Sequence, residues 1–159
     1  ALPIFDPAIV TYIMKKTGAT PDEMDDIMNM QSGMLGVSGI SSDARDIEDG
    51  CKEGNPAALL TAEVYVNRVI NVVGGYYAQL GGADAIVFTG GIGENDTNMR
   101  KMICDRLSVA FGIQLDEELN GKTRGKEVLL STAESKVAVW LIPTNEELMI
   151  ARDTYRLIA

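Results

Sequence analysis

The chain has 159 residues, of which 46% are hydrophobic and 23% charged, and this composition indicates about one soluble globular domain with a substantial core. Its net charge of −9, without a basic cluster, argues against nucleic acid or an anionic membrane as a partner. No apolar run reaches membrane-spanning length and Cys51 and Cys104 share no metal-ligand spacing, so a cytoplasmic location is expected. The chain contains no histidine, and chemistry that requires one must obtain it from elsewhere.

The first half of the sequence predicts helices separated by glycine-rich breaks. Residues 1–5 are interpreted as a non-native remnant or a cut inside a longer chain, and are left out of the fold prediction. A second helix is expected after Thr20, which forms a capping box with Glu23. The predicted elements are helices at 7–17, from 21 onward, from 43 to about 50 and at 56–80, with a loop or short irregular strand at 32–42.

The second half interleaves strands with helices. Strands are predicted at 85–88, 128–130 and 137–142, and helices at 97–111, 116–120 and 146–157. Gly112 is the expected stop of the helix that begins at Thr97. This alternation, without repeats or linkers, predicts an α/β fold with layered packing in one domain.

A glycine-rich segment follows the first predicted strand. Residues 90–95, hereafter the glycine segment, contain Gly90, Gly91 and Gly93 and precede a helix. A buried strand, a glycine-rich turn and a helix N-terminus are a frequent site for phosphate or another anion. The segment is not a Walker A loop, and Asp96 stands where a dinucleotide fingerprint has its third glycine. The alternative is a tight turn with no ligand.

Asp43, Ala44 and Arg45 are a second candidate site. At i and i+2, the Asp43 and Arg45 side chains are not expected to pair on a helix face, which leaves them free for different partners. Arginine suits a phosphate or a base, and aspartate suits a ribose hydroxyl or the arginine itself. The alternative is that Asp43 is a helix N-cap and Arg45 a surface residue.

A third candidate lies where the last predicted strand ends. Thr144 and Glu147 have the spacing of a capping box, which leaves Glu146 without a local partner. A carboxylate in that place is a plausible ligand for Mg²⁺, directly or through water. The alternative is an acidic residue favoured in the first helical turn by the helix dipole.

Taken together, these segments resemble the C-terminal part of the acetate/propionate kinase family. The similar segments are SGMLGVSGISSDARDI (residues 32–47), DAIVFTGGIGEN (84–95) and IPTNEELMIARD (142–153). Their occurrence in this order is more specific than any one of them alone. The resemblance extends over nearly the whole chain from Asp6 onward, and over less than half of the family's usual length.

The resemblance implies an RNase-H-like α/β domain of the actin/Hsp70/sugar-kinase (ASKHA) superfamily, the second of two such domains. It implies reversible phosphoryl transfer from ATP to acetate, giving acetyl phosphate and ADP. By similarity, Asp43, Ala44 and Arg45 line the adenosine side of the ATP site. Gly91, Ile92, Gly93, Glu94 and Asn95 wrap the nucleotide, and Glu146 matches the Mg²⁺ ligand. A homodimer, with contacts from this domain, is also implied.

The resemblance further implies that an N-terminal domain is missing from residues 1–159. The family's catalytic residues and its acetate pocket have no counterpart in this sequence, so the chain alone is expected to bind nucleotide weakly and not to turn over. A propionate, butyrate or sugar kinase of the same superfamily is one alternative. A non-catalytic dimerisation or scaffold module is another, supported by the long apolar helix at 56–80.

Overall fold

A computed structural model describes residues 6–158 of the chain. The interpretation of residues 1–5 as a remnant or a cut therefore lies outside the described residues. The contacts divide the chain into two compact units, residues 1–63 and 64–159, and the division falls within the long helix α5 (Pro56–Leu80). The prediction of a single domain stays a prediction.

The first unit is helical within its described part. Thr20 forms the predicted capping box: its hydroxyl accepts from the Glu23 backbone N–H (3.3 Å), and the Glu23 carboxylate accepts from the Thr20 N–H (2.8 Å). Gly50 and Ala58 pack closely, since a Cβ on Gly50 would lie 2.8 Å from the Ala58 Cβ. The helices are α1 (Ala8–Thr17), α2 (Pro21–Met30), α3 (Gly33–Ser38), α4 (Ala44–Lys52) and the start of α5.

Helix α3 corrects the sequence prediction for residues 32–42. The prediction of a loop or irregular strand was wrong, because two of the glycines lie at the helix ends rather than along a loop. Gly33 begins the helix with φ +63° and Gly39 ends it with φ +64° in the left-handed region. Met34 and Leu35, between them, are half-buried.

The described strands of the second unit form a mixed sheet in the order β1-β3-β2. Strand β3 pairs in parallel with β1 and antiparallel with β2. The α/β prediction is confirmed. The elements that follow α5 are β1 (Ala85–Phe88), α6 (Gly90–Asn95), α7 (Thr97–Phe111), α8 (Glu117–Lys122), β2 (Val128–Leu129), β3 (Ala138–Leu141) and α9 (Glu146–Ile158).

The core of the second unit lies around β3 and one face of α7. Val139 and Leu141 on β3 have no exposed surface. Helix α7 begins after Asp96, whose carboxylate accepts from the Met99 backbone N–H (2.8 Å), and it ends at Gly112 with φ +66°. By contrast, α6 and α9 contain no buried residue among those described, so apolar packing holds these two helices only weakly.

Candidate functional site

The site is built at one edge of the sheet, where β1 and β3 end. The parallel register pairs Phe88 with Leu141, and the Ile142 N–H continues the ladder to the Phe88 carbonyl (3.0 Å). The carboxyl ends of the two strands therefore lie side by side. Ligands of open α/β sheets bind outside the carboxyl ends of parallel strands. The glycine segment follows β1 at this edge, and the turn to α9 follows β3.

The glycine segment is helical rather than an open turn. Sequence reasoning expected a turn followed by the helix at Thr97, but residues 90–95 form the six-residue helix α6. Gly90 has φ +69°, a conformation that favours glycine. A Cβ on Gly93 would lie 3.3 Å from the Phe88 backbone carbon, whereas a Cβ on Gly91 would meet no atom within 4 Å. Gly93 therefore allows α6 to pack on β1, and Gly91 faces open space.

Glu94 joins the glycine segment to the turn after β3. Its Oε1 atom accepts from the backbone N–H groups of Gly90 (3.0 Å) and Thr144 (2.7 Å). The Thr144 backbone N–H lowers the pKa of Glu94, with smaller contributions in the same direction from the Thr144 side chain and the Gly90 N–H. Glu94 is thus held as a carboxylate that links two segments distant in sequence.

The predicted capping box of Thr144 and Glu147 is not formed. The Thr144 hydroxyl instead accepts from the Gly90 N–H (3.1 Å) and shares a hydrogen bond with the Thr89 hydroxyl (2.8 Å). Asn145 takes the capping role, since its side-chain oxygen accepts from the Leu148 N–H (3.2 Å). Glu146 is the first residue of α9, and its side chain is exposed.

These segments surround an open pocket of about 470 Å³. Three glutamates line it, and no lysine or arginine is among its described lining residues. A phosphate in such a pocket needs a cation to offset the glutamate charges. The residues that line the pocket are Gly90, Gly91, Glu94, Thr144, Asn145, Glu146 and Glu147.

The oxygen donors around this pocket suit Mg²⁺, and they do not suit a metal whose ligands all come from the protein. Magnesium is usually bound by one or two carboxylates, and it keeps waters and takes phosphate oxygens as its other ligands. Glu146 and Glu147 supply such carboxylates at the pocket. Within residues 6–158 no group of three or more His, Cys, Asp or Glu side chains is placed to hold a metal ion.

A buried arginine supports the glycine segment from behind, and sequence reasoning missed it. Arg100 of α7 has no exposed surface, and its Nη1 donates to the Gly93 carbonyl (2.9 Å). Its other donors reach the Asn120 side chain (2.8 Å) and the carbonyls of Asn120 (3.2 Å) and Thr123 (2.6 Å). Burial lowers the pKa of Arg100, and nearby Arg124 adds to this effect. The available signal was spacing: Arg100 shares a helical face with Ile103, Cys104 and Leu107, which are all buried.

Asp43, Ala44 and Arg45 lie in the first unit, and the other predicted site residues lie in the second. Asp43 is the N-cap of α4 and accepts from the Arg45 backbone N–H (2.9 Å). The Arg45 guanidinium also pairs with the Asp43 carboxylate (2.5 Å), so the expectation that the two side chains stay apart was wrong. The pair forms because Asp43 precedes the helix and its side chain turns back over the first turn. The Arg45 hydrogen bond lowers the pKa of Asp43 to about 2.

The chain is similar in sequence to proteins of one known family. The model of the acetokinase family matches residues 4–152. The chain belongs to the acetokinase family. It is 53% identical over 153 residues to the acetate kinase of Treponema denticola, a match that covers 96% of this chain and 38% of the relative. The chain thus spans well under half the length of this curated relative.

Solved structures of an acetate kinase and a propionate kinase share the fold of this chain. The crystal structure of Porphyromonas gingivalis acetate kinase aligns with a TM-score of 0.87 and 43% identity, over 98% of this chain and 39% of that one. A propionate kinase from Francisella tularensis aligns with a TM-score of 0.82 and 37% identity, over 92% of this chain and 37% of that one. The predicted ASKHA fold class is confirmed. Among residues 6–158, no helix has the length and hydropathy needed to cross a bilayer.

Proposed function

We propose that this chain supplies the nucleotide-binding half of an acetate kinase, which transfers the γ-phosphoryl group of ATP reversibly to acetate. The observation that carries the proposal is the convergence of Gly91, Glu94 and Glu146 on one pocket at the carboxyl ends of parallel strands. Membership of the acetokinase family supports the same conclusion. In this proposal, residues 1–159 correspond to the second of two RNase-H-like domains.

The backbone of the glycine segment is proposed to wrap the nucleotide, ATP or ADP. Gly91 leaves space for a ligand to approach the backbone. Asp43, Ala44 and Arg45 are proposed for its adenosine side, on the strength of the family resemblance. The Arg45 side chain is 85% exposed, so its ion pair with Asp43 is weakened by solvent and can be exchanged for a ligand.

Glu146 is proposed as the Mg²⁺ ligand. Its carboxylate lies at a pocket with three glutamates, where a divalent cation makes phosphate binding favourable. When bound, the cation would neutralise negative charge on the phosphoryl group that is transferred. Stabilising this charge is the main requirement of the reaction. The acetate pocket and the catalytic residues are proposed to lie in another part of the whole enzyme, so the chain alone should not turn over.

Titration calorimetry of the chain with ADP and ATP, with and without Mg²⁺, tests the proposal. Gly91→Ala should weaken binding because the new methyl group enters the space left for the ligand, and Arg45→Ala should weaken it by loss of the guanidinium. Gly74→Ala is the matched control, since a Cβ there also meets no atom within 4 Å but lies on α5. Equal affinities in all variants, or robust acetyl phosphate formation by the chain alone, would contradict the proposal.

Two alternatives have support. The likeness to a propionate kinase supports propionate as an alternative acceptor, and acceptor assays on the whole enzyme would distinguish it from acetate. A dimerisation role is favoured by large apolar side chains exposed on α5, among them Leu59, Leu60, Tyr76 and Leu80. Light scattering would detect the self-association, which is compatible with a homodimeric cytoplasmic kinase as well as with a scaffold.

A further inference from the structure

The glycine segment and the start of α9 are joined by polar contacts at the pocket. Glu94 Oε1 accepts from both the Gly90 N–H (3.0 Å) and the Thr144 N–H (2.7 Å), and the Thr144 hydroxyl accepts from the same Gly90 N–H (3.1 Å). Two of these three contacts bridge positions 50 or more residues apart in the sequence, and the three together are hereafter called the clamp. Each contact has normal hydrogen-bond length.

The start of α9 has little apolar packing to hold it, whereas the glycine segment is also anchored by the Arg100 hydrogen bond to the Gly93 carbonyl. Helix α6 has no buried residue, and neither has α9 among its described side chains. A helix without a buried apolar face gains little from packing, so its position depends on its ends. Thr144 lies two residues before Glu146. The clamp therefore fixes the position of Glu146 relative to the glycine segment.

We propose that Glu94 and Thr144 are positioning residues which hold Glu146 and the glycine segment in register, so that one Mg²⁺–nucleotide complex can contact both. The inference rests on the proposed function, and it assigns Glu94 to the clamp rather than to direct contact with the ligand. Glu94 Oε1 already accepts hydrogen bonds from two backbone N–H groups, those of Gly90 and Thr144. Mg²⁺ is expected to raise the affinity for the nucleotide. Loss of the clamp should reduce this increase, and it should affect binding without Mg²⁺ much less.

Conservative variants separate positioning from direct ligation. Glu94→Ala removes the acceptor of two backbone N–H groups, whereas Glu94→Gln retains an oxygen that can accept both. Thr144→Val removes the hydroxyl, and Thr144→Ser restores it. Thr89→Val is the matched control, because the Thr89 hydroxyl contacts the Thr144 hydroxyl but is hydrogen-bonded to neither backbone N–H group.

The measurement is the ratio of ADP affinities with and without Mg²⁺, from calorimetry of the 159-residue chain. Glu94→Ala and Thr144→Val should reduce this ratio by about 3- to 10-fold, the effect of one net hydrogen bond. Glu94→Gln, Thr144→Ser and Thr89→Val should keep it close to the unmodified value. An unchanged ratio in Glu94→Ala overturns the proposal. So does a Glu94→Gln variant as impaired as Glu94→Ala, because a metal ligand rather than a clamp would behave in that way.

Amide hydrogen exchange tests the clamp without requiring that the chain bind a nucleotide. Glu94→Ala should speed exchange of the Gly90 and Thr144 amides, and Glu94→Gln should not. If the unmodified chain binds no nucleotide, the proposal that it binds nucleotide by itself is wrong. The exchange result then shows whether the clamp hydrogen bonds form. Unchanged exchange at both amides in Glu94→Ala would overturn the clamp.

Discussion

Arg100 and Arg45 carry the same side chain in opposite surroundings. Arg100 is fully buried and donates to three backbone carbonyls and the Asn120 side chain. The Arg45 side chain is 85% exposed and pairs with Asp43 in solvent. A buried guanidinium loses its water and must keep every partner, whereas an exposed one exchanges partners at little cost. The comparison indicates that Arg100 maintains the architecture behind the glycine segment, while Arg45 remains available to a ligand.

The largest expected effect is that of Arg100→Met. The substitution removes a buried cation and leaves the Gly93 and Thr123 carbonyls and the Asn120 side-chain oxygen without the donor that Arg100 supplies. We expect a loss of about 3 kcal/mol or more in the free energy of unfolding, because each unpaired buried group costs about 1–3 kcal/mol. Urea unfolding, followed by circular dichroism and by the fluorescence of Trp140 in β3, measures it.

Arg45→Met is the matched control for that experiment. The same change of residue at an exposed ion pair should leave the unfolding midpoint almost unchanged. If both variants are destabilised equally, or if Arg100→Met is tolerated, the contrast between a structural and an available arginine is wrong.

A smaller effect should separate the two roles of Asp43. Asp43→Ala removes the N-cap of α4, so the melting temperature should fall by a few degrees, about the loss of one helix cap. Arg45→Ala leaves the cap in place and removes only the exposed pair, so it should have a much smaller effect. Equal decreases would mean that the ion pair, rather than the cap, stabilises this helix end.

The smallest effect is a dependence on pH in the acid range. Arg45 lowers the pKa of Asp43 from 3.8 to about 2, so the charged form stabilises the folded chain. This contribution is fully present above about pH 4, decreases as the pH falls from about 4 to about 2, and is lost below that. Asp43→Asn keeps a capping side chain but cannot titrate. The difference in melting temperature between the two proteins should therefore shrink over this range, and a constant difference would contradict the assignment.

Much of the fold was predictable because its signals are local. The Thr20–Glu23 capping box, the helix from Thr97 to Phe111 and its stop at Gly112 are all confirmed. Each depends on residues within about one helical turn of each other. The prediction for residues 32–42 was wrong because glycine marks helix ends as well as loops, and composition alone does not distinguish the two uses.

The candidate site was predictable only in part. Of the predicted site residues, Gly91, Glu94 and Glu146 line the pocket, and the roles predicted for them stay predictions. The hydrogen-bond partners of Glu94 and Thr144 were not predicted, because local spacing assigned Thr144 to a capping box with Glu147. Arg100 was missed for the same kind of reason: its acceptors at Asn120 and Thr123 are 20 and 23 residues away.

The sequence by itself determined most of the helices and strands, which segments carry glycine and carboxylate groups, and which family the chain resembles. Only the tertiary structure decided that Glu94 meets Thr144 and that Arg100 supports Gly93. For Glu94 and Thr144, which are 50 positions apart, the physical reason is that parallel pairing of β1 with β3 places the carboxyl ends of these strands side by side. Hydrogen bonds over such distances depend on how the chain packs, and local propensity carries no record of it.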